Sequence, residues 1–117
     1  MNKLLCLIFF LTCCTLLSAH PASQITAEFS HADSTLRITY LHSVKSPAEH
    51  YISEVNISLN GIEIIKQNLS LQASPKGGSL AYKIPDAKAK DTIEIKTTCS
   101  KIGTKSLKYT IHSIPDH

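Results

Sequence analysis

Apolar and polar residues alternate with a period of two along most of this chain, and that pattern limits the fold more than any other feature. Between Ile25 and Ser30, for example, Ile25, Ala27 and Phe29 alternate with polar or charged neighbours. Successive side chains of a β-strand point to opposite faces of the sheet, so the pattern predicts strands with one buried and one exposed face. We predict seven such strands, at residues 25–30, 36–43, 52–59, 62–71, 80–84, 93–99 and 107–111.

Turn-forming residues separate the predicted strands, and no convincing helical period lies between them. Asn60-Gly61 stands between the third and fourth strands, and both residues tolerate the positive φ angles of a two-residue hairpin turn. Stretches 74–78 and 85–91 carry proline, glycine, aspartate and lysine and predict longer loops. Seven short strands in about 100 residues are typical of immunoglobulin-like domains. The sequence therefore predicts an all-β fold, an immunoglobulin-like seven-stranded antiparallel sandwich or barrel.

The first 19 residues have the composition of a cleavable signal peptide. A lysine precedes an apolar run from Leu4 to Leu17, and the small pair Ser18-Ala19 follows it. The run is shorter than the roughly 20 apolar residues that a transmembrane helix needs. We therefore expect residues 1–19 to be removed. Residues 20–117 would remain as one exported domain, periplasmic or secreted, without a membrane span.

One cysteine, Cys99, remains after residue 19, together with all six histidines. Exported domains of this size normally pair their cysteines as disulfides, so a single thiol needs another explanation. Metal ligation explains it, and a small buried side chain at the end of a strand is the alternative. Lipidation at Cys14 is less favoured than cleavage, because Cys13 stands where lipoprotein signals carry a small residue.

Four residues with metal-ligating side chains lie at or near the ends of predicted strands. His42 lies at the end of the second strand and Cys99 at the end of the sixth. Each is an even number of positions from the apolar residues of its strand, so its side chain is expected on the buried face. His50 follows the loop after His42, and His20 begins the domain. One rim of a sandwich can hold a metal ion with a coordination position open to solvent. The remaining histidines have no ligand-like context and are predicted at the surface: His31, His112 and His117.

Three segments carry a family resemblance: His20-Pro21, residues 42–52 with the sequence HSVKSPAEHYI, and residues 99–103 with the sequence CSKIG. Together they resemble the iron-binding domain of superoxide reductases, the desulfoferrodoxin and neelaredoxin family, over nearly all of residues 20–117. The resemblance implies a seven-stranded immunoglobulin-like barrel with one mononuclear iron, held by four histidine nitrogens in a plane and a cysteine thiolate behind. It also implies that the iron reduces superoxide to peroxide at an open sixth position. The matching ligand positions are His20, His42, His50 and Cys99.

This chain departs from the family pattern at three places. Ile102 stands where the C-x-x-H-G segment of the family has its last histidine, although Gly103 matches the glycine. His42 and His50 lie two residues further apart than in the family. The family also has a Glu-Lys pair before its first histidine, with the lysine near the open position, and Ser18-Ala19 stands there instead. The resemblance thus implies a His/Cys-ligated iron with one imidazole fewer.

Other metals, and a function without metal, also suit these residues. Three imidazoles and a thiolate suit zinc as a closed tetrahedron, and they suit copper as well. Cleavage after Ala19 would make His20 the amino terminus, whose amino group and ring chelate Cu(II) in a histidine brace. The last alternative is an exported interaction module that keeps the sandwich and binds no metal. We expect iron, with copper or zinc as alternatives.

Charge is distributed unevenly along the chain. Residues 76–115 hold eight lysines against three acidic residues, whereas acidic residues prevail in residues 20–75. Lysines on the exposed face and edges of a sheet keep it soluble and block edge pairing. The functional alternative is attraction of a small anion, such as superoxide, or of an acidic electron-donor protein. Nucleic acid is not an expected partner, because no lysine cluster interleaves with aromatic residues.

Overall fold

Seven antiparallel strands in two sheets make up the fold. The structure, a computed structural model, describes residues 20–114, so the predicted signal peptide lies outside the described residues. The strands are β1 (Gln24–Ser30), β2 (Thr35–Leu41), β3 (Ile52–Leu59), β4 (Ile62–Asn68), β5 (Gly77–Lys83), β6 (Thr92–Cys99) and β7 (Thr104–Thr110). One sheet has the order β1-β2-β5 and the other β4-β3-β6-β7. No helix occurs in residues 20–114, and hence none there that could span a membrane. The predicted all-β, immunoglobulin-like sandwich is therefore confirmed.

The buried faces of the two sheets form one apolar core, as the alternating pattern predicts. Phe29 of β1 and Ile38 of β2 pack in one cluster with Ile57 of β3 and Ile95 of β6. Burying one such side chain contributes about 1.5–3 kcal/mol, so this cluster is what holds the sheets together. The sheets are also joined at one edge, where the Phe29 N–H donates a hydrogen bond to the Tyr109 hydroxyl of β7 at 3.0 Å.

The predicted two-residue hairpin joins β3 to β4. Asn60 and Gly61 have φ angles of 50° and 86°, the left-handed conformation that such turns require. The Asn60 side chain then ties the turn to the start of β6. Its Oδ1 accepts a hydrogen bond from the Thr92 N–H at 3.0 Å, and its Nδ2 donates to Asp91 Oδ1 at 3.1 Å.

Asp91 stabilises this region as a carboxylate. Besides the Asn60 bond, it accepts one from the Lys88 N–H at 3.0 Å. These bonds, with the Asn60 bond first, hold the pKa of Asp91 below its usual 3.8. Because the pKa is lower in the folded protein than in the unfolded chain, the carboxylate stabilises the fold above that usual value. This contribution is lost as the pH falls through the pKa of the folded state.

We expect Asp91→Asn to lower the midpoint of thermal unfolding at neutral pH. The difference in unfolding midpoint between the variant and the parent should become smaller as the pH falls below about 4, where the parent also loses its carboxylate. Circular dichroism melts of both proteins across the acid range measure this. A difference in unfolding midpoint that stays constant down to the lowest pH would contradict the stabilising role of the Asp91 carboxylate.

The boundaries of β4 and β5 differ from the predicted ones. β4 ends at Asn68 rather than at residue 71, because the chain beyond it leaves the sheet to meet the loop after β2, where the Gln72 N–H donates to the Pro47 carbonyl at 3.2 Å. β5 begins at Gly77 rather than at residue 80. A side chain at Gly77 would overlap the Tyr40 carbonyl, so the absence of a Cβ lets β5 approach β2 closely there.

Candidate metal centre

Antiparallel pairing brings four strand ends to one pole of the sandwich. In the first sheet the start of β1 lies beside the end of β2, and in the second the start of β3 lies beside the end of β6. His20 precedes β1, His42 follows β2, His50 precedes β3 and Cys99 ends β6. The four ligands predicted from the sequence therefore lie at the same pole.

The Cys99 thiol and the His50 imidazole are in direct contact. Cys99 Sγ lies 3.1 Å from His50 Nε2, and the backbone N–H of Lys101 donates to Sγ at 3.4 Å. A β-bulge between Ile52 and Glu54 shifts the register so that Ile52 pairs with Cys99. Bulges of this kind are common beside functional sites, where they re-aim a side chain. The sulfur is buried and free, and it faces an imidazole.

His42 is fully buried, as its parity on the strand predicts. Its ring meets the ring of His50 edge to face, with centroids 4.8 Å apart and planes at 88°. Its Nδ1 lies 2.7 Å from Gln72 Oε1, and its Nε2 lies 3.0 Å from the backbone carbonyl oxygen of His20. Both ring nitrogens therefore face acceptor oxygens, and a neutral imidazole can donate a hydrogen bond to only one of them.

His42, His50 and Cys99 form a donor set that fits a metal ion. Their ligand atoms lie within 4.8 Å of one another. At metal–nitrogen and metal–sulfur distances of about 2.1 and 2.3 Å, neighbouring ligand atoms are about 3.1–3.6 Å apart. The separation of 3.1 Å between His50 Nε2 and Cys99 Sγ falls in this range. Imidazole and thiolate together suit iron, zinc and copper.

His20 lies beside this cluster and outside its set of close donors. Its ring centroid is 5.0 Å from that of His42 and 5.6 Å from that of His50. Its Nδ1 lies 2.9 Å from the Pro21 carbonyl oxygen, and its Nε2 lies 3.0 Å from that of Ser43. Ligation by His20 would require its ring to turn away from these carbonyls, and its role as a ligand stays a prediction.

The electrostatic environment favours the neutral form of His50. Burial lowers the pKa of His50 below its usual 6.5, and electrostatic interactions with His42, His20 and Lys101 lower it further. A neutral imidazole keeps the lone pair that a metal ion needs. His50 is therefore in its ligating form at neutral pH.

A cleft of about 470 Å³ opens beside His50 and carries two lysines on its walls. Cationic side chains around a cleft raise the local concentration of small anions. Lys45 comes from the loop after β2 and Lys101 from the loop after β6, and nothing in the sequence indicates that they line the same cleft. The cleft is lined by Ser43, Val44, Lys45, Ser46, Glu49, His50 and Lys101.

The loop after β6 carries Ile102 and Gly103. The Ile102 side chain is 61% exposed, so it fills no core position. Gly103 has a φ of 94°, and a Cβ there would lie 2.9 Å from the Pro21 ring. Only glycine lets this loop approach the His20-Pro21 segment so closely.

His31 and His112 form a second histidine pair at the opposite pole. Their ring centroids are 4.8 Å apart, and His31 Nε2 lies 2.8 Å from the His112 carbonyl oxygen. No third histidine, cysteine or acidic donor joins them within residues 20–114. His112 is exposed as predicted, whereas His31 is half-buried against Phe29. The prediction for His117 lies outside the described residues.

A solved structure shares this architecture. Superoxide reductase (1Fe-SOR) from Giardia intestinalis matches with a TM-score of 0.56, covering 79% of this chain and 97% of that chain at 13% sequence identity. This chain has a superoxide-reductase-like fold. No protein-family model and no curated protein matches the chain. Because one fold hosts many functions, the function must be argued from the residues at the pole.

Proposed function

We propose that this chain is an exported domain that binds one iron ion through His42, His50 and Cys99, with His20 as a fourth ligand. We further propose that the site reduces superoxide to peroxide. The observation that carries the proposal is the convergence of two imidazoles and a thiol at one pole of a superoxide-reductase-like fold. An iron ion there would be held by both nitrogen and sulfur donors, which suits a redox-tuned metal.

Bound iron would supply the electron: each superoxide anion takes up one electron and two protons to give hydrogen peroxide, and an electron-donor protein restores the electron. The side chains of this protein would hold the iron and attract the anion. Cys99 would supply a thiolate in contact with His50 and with the Lys101 N–H. Lys45 and Lys101 line the cleft beside His50 and would draw the anion toward it.

A metal site without catalytic turnover is the second candidate, and the exposed Ile102 favours it. The family carries an imidazole at this position, whereas here an apolar side chain points into solvent. With one ligand fewer, three histidines and a cysteine suffice for closed tetrahedral zinc, and they also suit copper. An exported interaction module without metal is the remaining alternative.

The export and the metal can be tested together on the protein purified from its native compartment. Because residues 1–19 have the composition of a signal peptide, we expect an intact mass that begins at or near His20. Elemental analysis should find about one iron per chain, and thiol titration should find no internal disulfide. An uncleaved chain would contradict export. Stoichiometric copper or zinc would replace iron in the proposal, and a folded protein without metal would leave the interaction module.

A further inference from the structure

Gln72 is a buried polar residue to which the sequence pattern assigns no role. It lies in the loop between β4 and β5, and its side chain is only 2% exposed. Burying an amide is costly unless its polar atoms find hydrogen-bond partners. All of the partners of this amide lie around His42 and the adjoining loop.

The hydrogen bonds of Gln72 determine which way its amide points. Its Nε2 donates to the carbonyl oxygen of His42 at 2.7 Å and to that of Ser74 at 2.9 Å. These two bonds use both hydrogens of the amide nitrogen. The reversed amide would place its oxygen against two carbonyl oxygens, so the network excludes it.

The orientation of the amide also bears on the tautomer of His42. The atom that faces His42 Nδ1, at 2.7 Å, is Gln72 Oε1, which can only accept a hydrogen bond. His42 Nδ1 must carry a hydrogen for this bond to form. The backbone carbonyl oxygen of His20, 3.0 Å from Nε2, is also an acceptor, so a neutral ring donates to only one of the two, and the shorter contact favours Nδ1. Gln72 thus holds the ring and the main-chain carbonyl of His42 at the same time.

We propose that Gln72 is the positioning residue of the metal centre: it fixes the Nδ1–H tautomer and the ring orientation of His42, and so makes Nε2 its ligand atom. This inference rests on the proposed metal-binding function. Histidines that ligate metals almost always donate their other N–H to an oxygen acceptor, and loss of that acceptor typically weakens metal binding about 10–100-fold.

The assignment of Nε2 also concerns His20. In this structure the carbonyl oxygen of His20 lies 3.0 Å from His42 Nε2. An ion bound at Nε2 would take the place of that oxygen, so the His20 carbonyl and His42 Nε2 must separate when the ion binds. Ligation by the His20 ring requires a separate change, in which the ring turns away from the carbonyls of Pro21 and Ser43.

The test compares Gln72→Met with Gln67→Met in the full domain, using Co(II) as the probe. Methionine keeps the length of the side chain and removes the acceptor. Gln67 lies on β4, where it accepts a hydrogen bond from the Tyr82 hydroxyl at 2.6 Å, so it controls for the loss of a glutamine. We expect Gln72→Met to weaken Co(II) binding about 10–100-fold and Gln67→Met to leave it unchanged.

Nitrogen-15 NMR of the His42 ring in the metal-free parent reports directly which ring nitrogen carries the hydrogen. This result does not depend on how much Gln72 contributes to the stability of the fold. We expect the shifts of the Nδ1–H tautomer at mildly alkaline pH, and the Nε2–H tautomer would overturn the proposal even if Gln72→Met fails to fold. A folded Gln72→Met variant with the affinity of the parent would overturn it as well. A parent with the Nδ1–H tautomer that binds no Co(II) would instead overturn the metal centre, and the positioning role with it, while supporting the assigned hydrogen bonds.

Discussion

Replacing Cys99 by serine is expected to abolish stoichiometric iron binding. Loss of an outer hydrogen-bond partner typically costs about 10–100-fold in metal affinity, and loss of the thiolate itself should cost at least about 100-fold. The sulfur contacts His50 at 3.1 Å, so its removal takes one of the three clustered donors. Anaerobic reconstitution with Fe(II), followed by elemental analysis of the desalted protein, measures the effect.

Thr97→Ser is the matched control for Cys99→Ser. Thr97 lies two residues earlier on β6 with a buried side chain, so the substitution is a small change in the same strand at a position outside the donor cluster. It should bind iron like the parent. Serine at position 99 buries a hydroxyl at a cost of about 1–3 kcal/mol, so both variants are first compared by thermal unfolding. A folded Cys99→Ser protein that still binds one iron would exclude thiolate ligation.

Replacing Ile102 by histidine is expected to tighten iron binding and to produce or increase superoxide reduction. The new imidazole lies three residues after Cys99, at the spacing of the C-x-x-H-G segment that this chain resembles. Ile102 is 61% exposed, and exposed substitutions usually change stability by no more than about 0.5 kcal/mol. A gain of at least about tenfold in Fe(II) affinity, or about 1.4 kcal/mol, is the expected size of the effect.

Ile114→His provides the same substitution at a similarly exposed isoleucine. Ile114 is 64% exposed and follows β7 at the opposite pole, so a histidine there adds an imidazole away from His42, His50 and Cys99. Fe(II) titration and an assay of superoxide consumption with a reduced electron donor compare the variants. If Ile102→His and Ile114→His bind iron equally, the correspondence of residues 99–103 with the ligand segment of the family is wrong.

Local patterns were enough to predict the strands. Alternating burial requires only that each strand have one face toward the core, and the Asn60-Gly61 turn follows from the φ angles that these two residues tolerate. Local patterns were not enough at Gly77. In the sequence this glycine is typical of a loop. Its place at the start of β5 is explained only by the close approach of the Tyr40 backbone on the neighbouring strand.

The candidate site was predictable in its parts and not in its arrangement. The even spacing of His42 from the apolar residues of the second strand predicted that its side chain is buried, and the structure confirms this. The contact between His50 and Cys99 joins residues 49 positions apart, and it depends on the pairing of β3 with β6. Gln72 had no signal, because an uncharged polar residue in a loop looks the same in the sequence whether it is buried or exposed.

The sequence by itself determined the fold class and the types of side chain that could bind a metal, because strand periodicity and ligand chemistry are properties of local segments and single residues. Only the tertiary structure decided that His42, His50 and Cys99 meet while His20 faces backbone carbonyls. Only the tertiary structure, likewise, decided that Lys45 and Lys101 share a cleft and that Gln72 holds His42. The physical reason is that these contacts depend on which strands pair and in what register, and pairing across long stretches of chain is a property of the whole core.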